Sequence, residues 1–156
     1  VAVIRPFNTY GPRQSDRAII PTIIAQALTK RTIKLGALAP RRDLNYVADT
    51  VEGFILTAES PRSVGKVINI GTGRDISVGE LAAVILRLMG RKVKIETTSA
   101  RKRPKASEVM QLLCDNSLAA ELIGWKPRTT LESGLKQTID WIKSHSEGYS
   151  PDKYSI

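Results

Sequence analysis

The chain has 156 residues, of which 42% are hydrophobic and 25% are charged, a composition ordinary for one globular domain that can bury a core. It contains no run approaching the roughly 20 apolar residues that cross a bilayer, and no secretory signal pattern opens it, so we expect a cytoplasmic protein with no membrane partner. The formal net charge of +9 suits a phosphate-bearing ligand, a nucleic acid or solubility alone.

The predicted elements follow the apolar spacing along the chain. Runs of β-branched residues predict strands buried on both faces, and apolar residues three and four apart predict helices. In chain order, the predicted elements are a strand at 1–4, a helix at 19–30, a strand at 32–35, an extended segment at 41–47, a helix at 48–59, a strand at 66–70, a helix at 81–89, a strand at 93–97, a helix ending at 123 and a helix at 131–143. This order predicts an α/β protein in which strands 1–4 and 66–70 lie parallel in one sheet.

Several side chains mark the ends of the predicted helices. Ser77 and Glu80 fit a capping box, in which the hydroxyl accepts from the third helical amide and the carboxylate reaches back to the cap. Thr129 and Glu132 repeat that spacing before the last helix, and Gly124 can end the helix before it. Past residue 144 the composition turns polar, so we predict a folded region at 1–144 and a loose tail at 145–156.

The predicted first strand begins at Val1 itself, with no methionine and no polar residue ahead of it. A parallel strand buried on both faces needs neighbouring strands and covering helices. We therefore expect further protein to precede Val1. A sheet without one flank can also pair with another copy, so a self-associating structural fragment and a homo-oligomer are open alternatives.

The basic residues fall in short clusters, at 41–42 and 101–105, between well-patterned elements. Proteins that bind nucleic acid more often carry a continuous basic stripe interleaved with aromatic residues, and aromatic residues are only 5% of this chain. We therefore expect no nucleic-acid partner. A basic nucleic-acid-binding module is the alternative function.

The sequence contains no pattern typical of a metal site or a hydrolase. We expect a solvated side chain for His145, beside the polar tail, and a buried reduced thiol for Cys114, which follows two leucines. Neither a Gly-x-Ser-x-Gly turn nor a P-loop is present. The run GTG at 71–73 lies where a dinucleotide loop would, but Ile76 holds the third glycine position, which favours a tight strand-to-helix turn.

Polar segments follow the predicted apolar strands, where open α/β sheets bind their ligands. Segment 5–12 leaves the first strand, a basic cluster lies at 41–43, and Arg103 with Glu108 forms a further pair. Arginine forks bind phosphate oxygens bidentately, and a carboxylate can accept from both hydroxyls of a ribose. Together these residues favour a nucleotide-diphosphate ligand.

Four strings carry a resemblance to a known family. RPFNTYGP occurs at 5–12, RDLNYVAD at 42–49, VINIGTG at 67–73 and RPKASEV at 103–109. In this order they resemble the extended short-chain dehydrogenases/reductases, specifically the NAD-dependent nucleotide-sugar epimerases and 4,6-dehydratases. The resemblance continues through LIGW at 122–125 and the final helix.

The resemblance implies a two-part enzyme, in which a Rossmann domain carries a glycine-rich NAD loop and a Tyr-x-x-x-Lys pair, and a smaller region binds the nucleotide sugar. This chain resembles the last strands of the Rossmann-type parallel sheet plus that small α/β region. Tyr149 and Lys153 have the Tyr-x-x-x-Lys spacing, but Pro151 between them breaks the helix that would align them. We therefore expect NAD as cofactor of the full-length enzyme, and a chain that is inactive alone and binds NAD poorly.

The resemblance also implies roles for individual residues. Pro6 and Phe7 would lie near the nicotinamide end of the cofactor. Among the implied substrate-binding residues, Asn8 would touch the phosphate or the sugar, and Lys34 and Leu35 would lie on a strand that runs past the nucleobase. Arg42 and Arg103 would hold the diphosphate, and Glu108 would bind the ribose hydroxyls. Leu44 stands where the family usually carries an aromatic residue, so the base stays open, as do the sugar and the choice between epimerisation and dehydration.

Overall fold

A computed structural model of the protein describes residues 1–98 and 109–150. Its α-helices are α1 (Ile19–Thr29), α2 (Val47–Glu59), α3 (Val78–Leu88), α4 (Ser117–Ile123) and α5 (Leu131–Ser144), with 3-10 turns at Pro61–Ser63 and Ser146–Gly148. Its strands are β1 (Val3–Pro6), β2 (Thr9–Tyr10), β3 (Thr32–Leu35), β4 (Arg41–Asp43), β5 (Asn45–Tyr46), β6 (Val67–Ile70), β7 (Asp75–Ser77), β8 (Lys94–Thr97) and β9 (Gln111–Leu112). Within these described ranges, no helix combines the length and apolar content needed to span a bilayer.

Strands β1 and β6 pair in parallel, from Val3 beside Val67 to Pro6 beside Ile70, as the sequence predicts. One face of this pair is covered and the other is exposed, so the described residues do not themselves supply the neighbours that a strand buried on both faces needs. Val3 is 44% exposed and Val67 42% exposed, whereas Ile70 is 0% exposed. Side chains alternate across a strand, and α2 and α4 cover only the face on which Ile70 lies.

The other strands form three small sheets around this pair. Strand β3 is parallel to β8, and β2 is parallel to β5. Strand β4 lies between β7, which is antiparallel to it, and β9, which is parallel. The segment at 41–47, predicted only as extended, therefore places its first three residues in the centre of a three-stranded sheet.

Two apolar clusters hold the helices against the strands. The larger cluster joins α1, α3 and α5 to β3, and its fully buried members include Ile23, Ile24, Ile33, Leu35, Ile85 and Leu135. The smaller cluster joins β6 to α4 and contains Ile68, Ile70, Ala119 and Trp125. Trp125 is 1% exposed, and its indole Nε1 donates to the Asp49 carbonyl at 2.8 Å, which satisfies its one polar group.

The helix ends confirm one predicted cap and move the other. Ser77 Oγ accepts from the Glu80 amide at 3.1 Å, and the Glu80 carboxylate accepts from the Ser77 amide at 2.9 Å, so the capping box is present. The cap predicted at Thr129 is wrong by one residue, because Thr130 Oγ1 accepts the Ser133 amide. Thr129 instead bonds Asp49. Gly124 ends α4 in the left-handed region, at φ +65°, as predicted.

Two side chains of the segment after α5, His145 and Tyr149, pack against the protein, whereas its other described residues are exposed. The domain boundary at residue 144 stays a prediction. The His145 ring is half-buried and stacks on Trp141, with 3.8 Å between ring centroids and 14° between planes. Tyr149 packs against the larger apolar cluster. The prediction of a solvated His145 is therefore wrong, since the imidazole finds an aromatic face one turn away. Residues 151–156 lie outside the described part of the chain.

Candidate functional site

The carboxyl ends of β1 and β6 come together with the segment that contains Cys114. The Phe7 amide donates to the Ile70 carbonyl at 2.8 Å. A Cβ placed on Gly71 would lie 2.6 Å from Cys114 Cβ, closer than real Cβ atoms approach, and 3.1 Å from Phe7 Cβ. The predicted need for a small residue after the strand is therefore confirmed at Gly71. The prediction of a direct strand-to-helix turn is wrong, because the run leads into β7 before α3 begins.

The buried carboxylate of Asp43 organises this crossing. Oδ1 accepts from the Thr72 amide at 2.8 Å and from the Thr72 hydroxyl at 2.7 Å. Oδ2 accepts from the amides of Gly73 at 2.8 Å and Cys114 at 3.2 Å. Asp43 is 0% exposed, so its charge is stabilised by these four donors instead of by water. The amides of the GTG run are thus occupied by a side chain of the same protein.

Asn8 and Arg42 both adjoin Asp43, Asn8 through a hydrogen bond and Arg42 as its neighbour in the chain. The Asn8 side-chain amide donates to the Asp43 carbonyl at 3.1 Å, and the Asn45 amide donates to the Asn8 carbonyl at 3.1 Å. Arg42 is half-buried, and its Nη1 donates to the carbonyls of Arg41 at 2.8 Å and Val109 at 2.7 Å. The structure therefore brings these two predicted substrate-binding residues into one neighbourhood.

The remaining predicted site residues are distributed differently. Pro6 is exposed at the end of β1 and Phe7 is half-buried next to Asn8, so both adjoin the Asp43 crossing. Lys34 and Leu35 lie on β3, in another sheet. Arg103 and Glu108 lie outside the described residues, and the roles of all these residues stay predictions.

The two β3 residues differ in what they offer to a ligand. Leu35 is 0% exposed within the larger apolar cluster. Lys34 is exposed, but its backbone amide and carbonyl are both bonded by the Gln26 side chain, at 2.8 and 3.2 Å. Only the Lys34 side chain is accessible for a contact there.

Asp49 is a second buried carboxylate to which the sequence analysis assigns no role. Its Oδ2 accepts from the amides of Arg128 at 3.3 Å and Thr129 at 2.9 Å, and its Oδ1 from the Thr129 hydroxyl at 3.1 Å. It ties the first turn of α2 to the segment before α5. The sequence signal for this anchor is an acid in the first turn of a predicted helix.

Arg41 faces a different set of partners from Arg42. Its Nε lies 2.7 Å from Asp75 Oδ1 and its Nη1 lies 3.1 Å from Glu80 Oε2. Hydrogen bonds lower the pKa of Asp75, the bond from Gln111 having the largest effect and that from Arg41 the next. The pKa of Glu80 is lowered mainly by hydrogen bonds with the amide and the hydroxyl of Ser77. Arg41 is thus neutralised by two carboxylates. The two arginines of the predicted basic cluster do not act together.

The Cys114 thiol is buried and unreactive in character. It is 4% exposed, and burial, with the negative charges of Asp43 and Asp115, raises its pKa to about 12. A thiol that stays protonated is a poor nucleophile, which agrees with the predicted reduced, buried cysteine. Across residues 1–98 and 109–150, no three His, Cys, Asp or Glu side chains cluster as a metal site would require.

Comparisons with known proteins identify relatives of this chain. The family profile described as GDP-mannose 4,6 dehydratase matches residues 1–138. UDP-glucuronate 4-epimerase of Thermodesulfobacterium geofontis is 31% identical over 150 residues, which cover 94% of this chain and 44% of that protein. Among solved structures, Pal from Bacillus thuringiensis superposes with a TM-score of 0.84 at 36% identity, covering 93% of this chain and 46% of Pal.

A structure with bound ligands is also similar. UDP-glucuronic acid 4-epimerase from Bacillus cereus, in complex with UDP-glucuronic acid and NAD, superposes with a TM-score of 0.83 at 28% identity, covering 92% of this chain and 45% of the epimerase. The chain therefore spans less than half the length of these relatives. The predicted α/β fold with a Rossmann-type parallel pair and the predicted resemblance are both confirmed. The chain belongs to the GDP-mannose 4,6-dehydratase family, within the NAD-dependent nucleotide-sugar epimerases and dehydratases of the extended short-chain dehydrogenases/reductases.

Proposed function

We propose that this chain supplies the nucleotide-sugar-binding part of an NAD-dependent sugar-nucleotide epimerase or 4,6-dehydratase. The observation that carries the proposal is the hydrogen bond from the Asn8 side chain to the Asp43 carbonyl, which joins Asn8 to the residue that follows Arg42. Asn8 follows β1, and the Asp43 carboxylate accepts from the segment after β6, so this contact lies at the carboxyl ends of two parallel strands, where open α/β sheets bind their ligands. The bound UDP-glucuronic acid of the similar Bacillus cereus epimerase supports a nucleotide sugar as the ligand class.

Arg42 is proposed to bind the diphosphate. Its guanidinium is a planar fork, and the two carbonyls that Nη1 contacts fix the orientation of that plane. A side chain oriented before binding loses less conformational entropy when it meets phosphate oxygens. Asn8 is proposed to touch the phosphate or the sugar. Its side chain is exposed, and a hydrogen bond to the Asp43 carbonyl fixes its position.

The described residues fit only the edge of an NAD site. A dinucleotide pyrophosphate needs backbone amides that face it, and the amides of Thr72 and Gly73 are bonded to Asp43 instead. Pro6 and Phe7 remain suited to contact beside the nicotinamide. When bound, NAD accepts and returns a hydride. We assign the main NAD-binding loop and the proton transfer at the sugar hydroxyl to the other half of a full-length enzyme. A cytoplasmic location stays a prediction.

Loss of nucleotide binding in one arginine variant tests the site. We expect Arg42→Ala to weaken the binding of UDP, dTDP or GDP roughly tenfold to a hundredfold, because it removes a charge-assisted contact with phosphate. Isothermal titration calorimetry measures the affinities. Arg62→Ala, on the exposed turn Pro61–Ser63, is the matched control and should bind like the wild type. Equal affinities for Arg42→Ala and the wild type would count against the assignment.

Turnover by the isolated chain is the test of its proposed partial role. We expect no product when the chain is incubated with NAD and a panel of UDP-, dTDP- and GDP-sugars, followed by chromatography of the nucleotide sugars. The reason is that the described residues offer no amide cradle for the pyrophosphate, and that Pro151 interrupts the Tyr-x-x-x-Lys spacing at 149–153. Appearance of an epimerised or dehydrated sugar would refute the proposed inactivity of the isolated chain, but it would not contradict the proposed binding site.

A further inference from the structure

A cavity of about 610 Å³ is lined by Arg41 and Arg74 but not by Arg42, and we call it the Arg74 cavity. Its walls come from β4, the turn after β6, the start of α3 and residues 127–131. Consecutive residues of a strand point to opposite faces, so Arg41 reaches this cavity and Arg42 reaches Val109. The volume is in the range of small-molecule pockets, roughly 300 to 1,000 Å³.

The cavity lining contains one arginine, Arg74, that is paired with no carboxylate of the described residues. Three guanidinium groups and two carboxylates line it, which leaves one positive charge in excess. Arg41 is paired with both of those carboxylates. Arg128 is paired once, with Glu52 at 3.0 Å. The Arg74 side chain is exposed and has no hydrogen bond or ion pair with any residue in the described ranges.

Of the remaining seven lining residues, four are apolar (Leu44, Ile76, Pro127 and Leu131) and three are threonines. Leu44 is 9% exposed and belongs to the larger apolar cluster, against which Ile76 and Leu131 also pack. The start of α3 offers no donors to a ligand, because the amides of Val78 and Gly79 donate to the carbonyls of Pro40 and Leu38, each at 3.0 Å. The cavity therefore presents a fixed apolar surface beside an unpaired arginine.

We propose that the Arg74 cavity binds a small amphiphilic anion, a phosphate monoester on a planar or apolar body. Arg74 takes the phosphate, and the apolar surface of Leu44, Ile76 and Leu131 takes the body. Arg128 is a second cation of the same lining. Burial of the apolar body supplies binding free energy that an inorganic anion cannot gain. This site goes beyond the proposed nucleotide-sugar site, since neither Asn8 nor Arg42 lines it.

Phenyl phosphate is the probe, followed by two-dimensional NMR of the ¹⁵N-labelled chain. We expect saturable shifts of the Ile76 and Leu131 amides, and binding at least about tenfold tighter than that of inorganic phosphate or of phenol, because each comparator lacks one half of the recognition. Shifts confined to the surroundings of Asn8 and Arg42, or shifts that do not saturate, would overturn the proposal.

Two exchanges separate this site from the proposed nucleotide site. Arg74→Gln should weaken phenyl phosphate binding about tenfold or more and leave UDP affinity unchanged. Arg42→Gln should do the reverse. Arg62→Gln controls for loss of one positive charge on an exposed turn. If Arg62→Gln lowered the affinity for phenyl phosphate as much as Arg74→Gln does, the attraction would be general to positive charge and the assignment would be overturned. Failure of UDP to bind any variant would bear only on the proposed function.

Discussion

Asp43→Asn is expected to lower the free energy of unfolding by about 3 kcal/mol, the range in which breaking a buried, hydrogen-bonded charge falls. The substitution conserves size and shape. It replaces one accepting oxygen by an NH₂ group, which must face either the Gly73 and Cys114 amides or the Thr72 amide and hydroxyl. Donors would then face donors in a site that water does not reach. Urea denaturation at pH 7 measures the difference.

The matched control for this substitution is Asp140→Asn on the exposed face of α5, where we expect a change within about 0.5 kcal/mol. Hydrogen exchange adds a local readout, because the Thr72 and Gly73 amides should exchange faster in Asp43→Asn. A variant as stable as the wild type would show that the four hydrogen bonds do not contribute to folding.

Gly134→Ala is expected to destabilise the protein by about 1 to 3 kcal/mol, although alanine is the better helix former. A Cβ on Gly134 would overlap the Tyr10 hydroxyl and lie 2.8 Å from Tyr46 Cδ2. Tyr10 is 1% exposed and its ring packs edge-on against Tyr46 at 5.7 Å, so neither ring can move aside without disturbing the core. Thermal and urea denaturation would both report the loss.

A second helical glycine provides the comparison for Gly134. In Gly79→Ala the new Cβ would lie 3.5 Å from Leu38 Cβ, an ordinary contact, within the first turn of α3. We expect this variant to be neutral or more stable by up to about 1 kcal/mol, because alanine reduces the entropy of the unfolded chain. Equal effects in the two variants would mean that helix propensity outweighs packing at Gly134.

The string RDLNYVAD at 42–49 combines two kinds of residue. Arg42 is the half-buried side chain proposed to meet the ligand, whereas Asp43 and Asp49 are buried and bonded to backbone amides of distant segments. The two carboxylates fix the positions of the loops through these hydrogen bonds, and the loops in turn support the segment that carries Arg42. Charged residues in a motif therefore need not all touch the substrate.

Local patterns were sufficient to predict most of the regular elements and part of the candidate site. Apolar spacing predicts α1, α2 and α5 to within two residues at each end, and the hydroxyl and carboxylate of Ser77 and Glu80 predict the start of α3. The parallel pairing of β1 with β6 also follows from two short β-branched runs separated by helices. These features depend on residues a few positions apart, which a single sequence displays directly.

Only the tertiary structure decided which residues meet. It separated Arg41 from Arg42, placed Leu35 in the core, exposed one face of β1 and β6, and bonded Asp43 to donors 29 to 71 positions away along the chain. Strands of two or three residues, such as β4 and β7, are too short to have a period in the sequence. The pairing of these strands and the burial of the Asp43 carboxylate depend on packing and hydrogen bonds among distant segments. No local pattern contains that information.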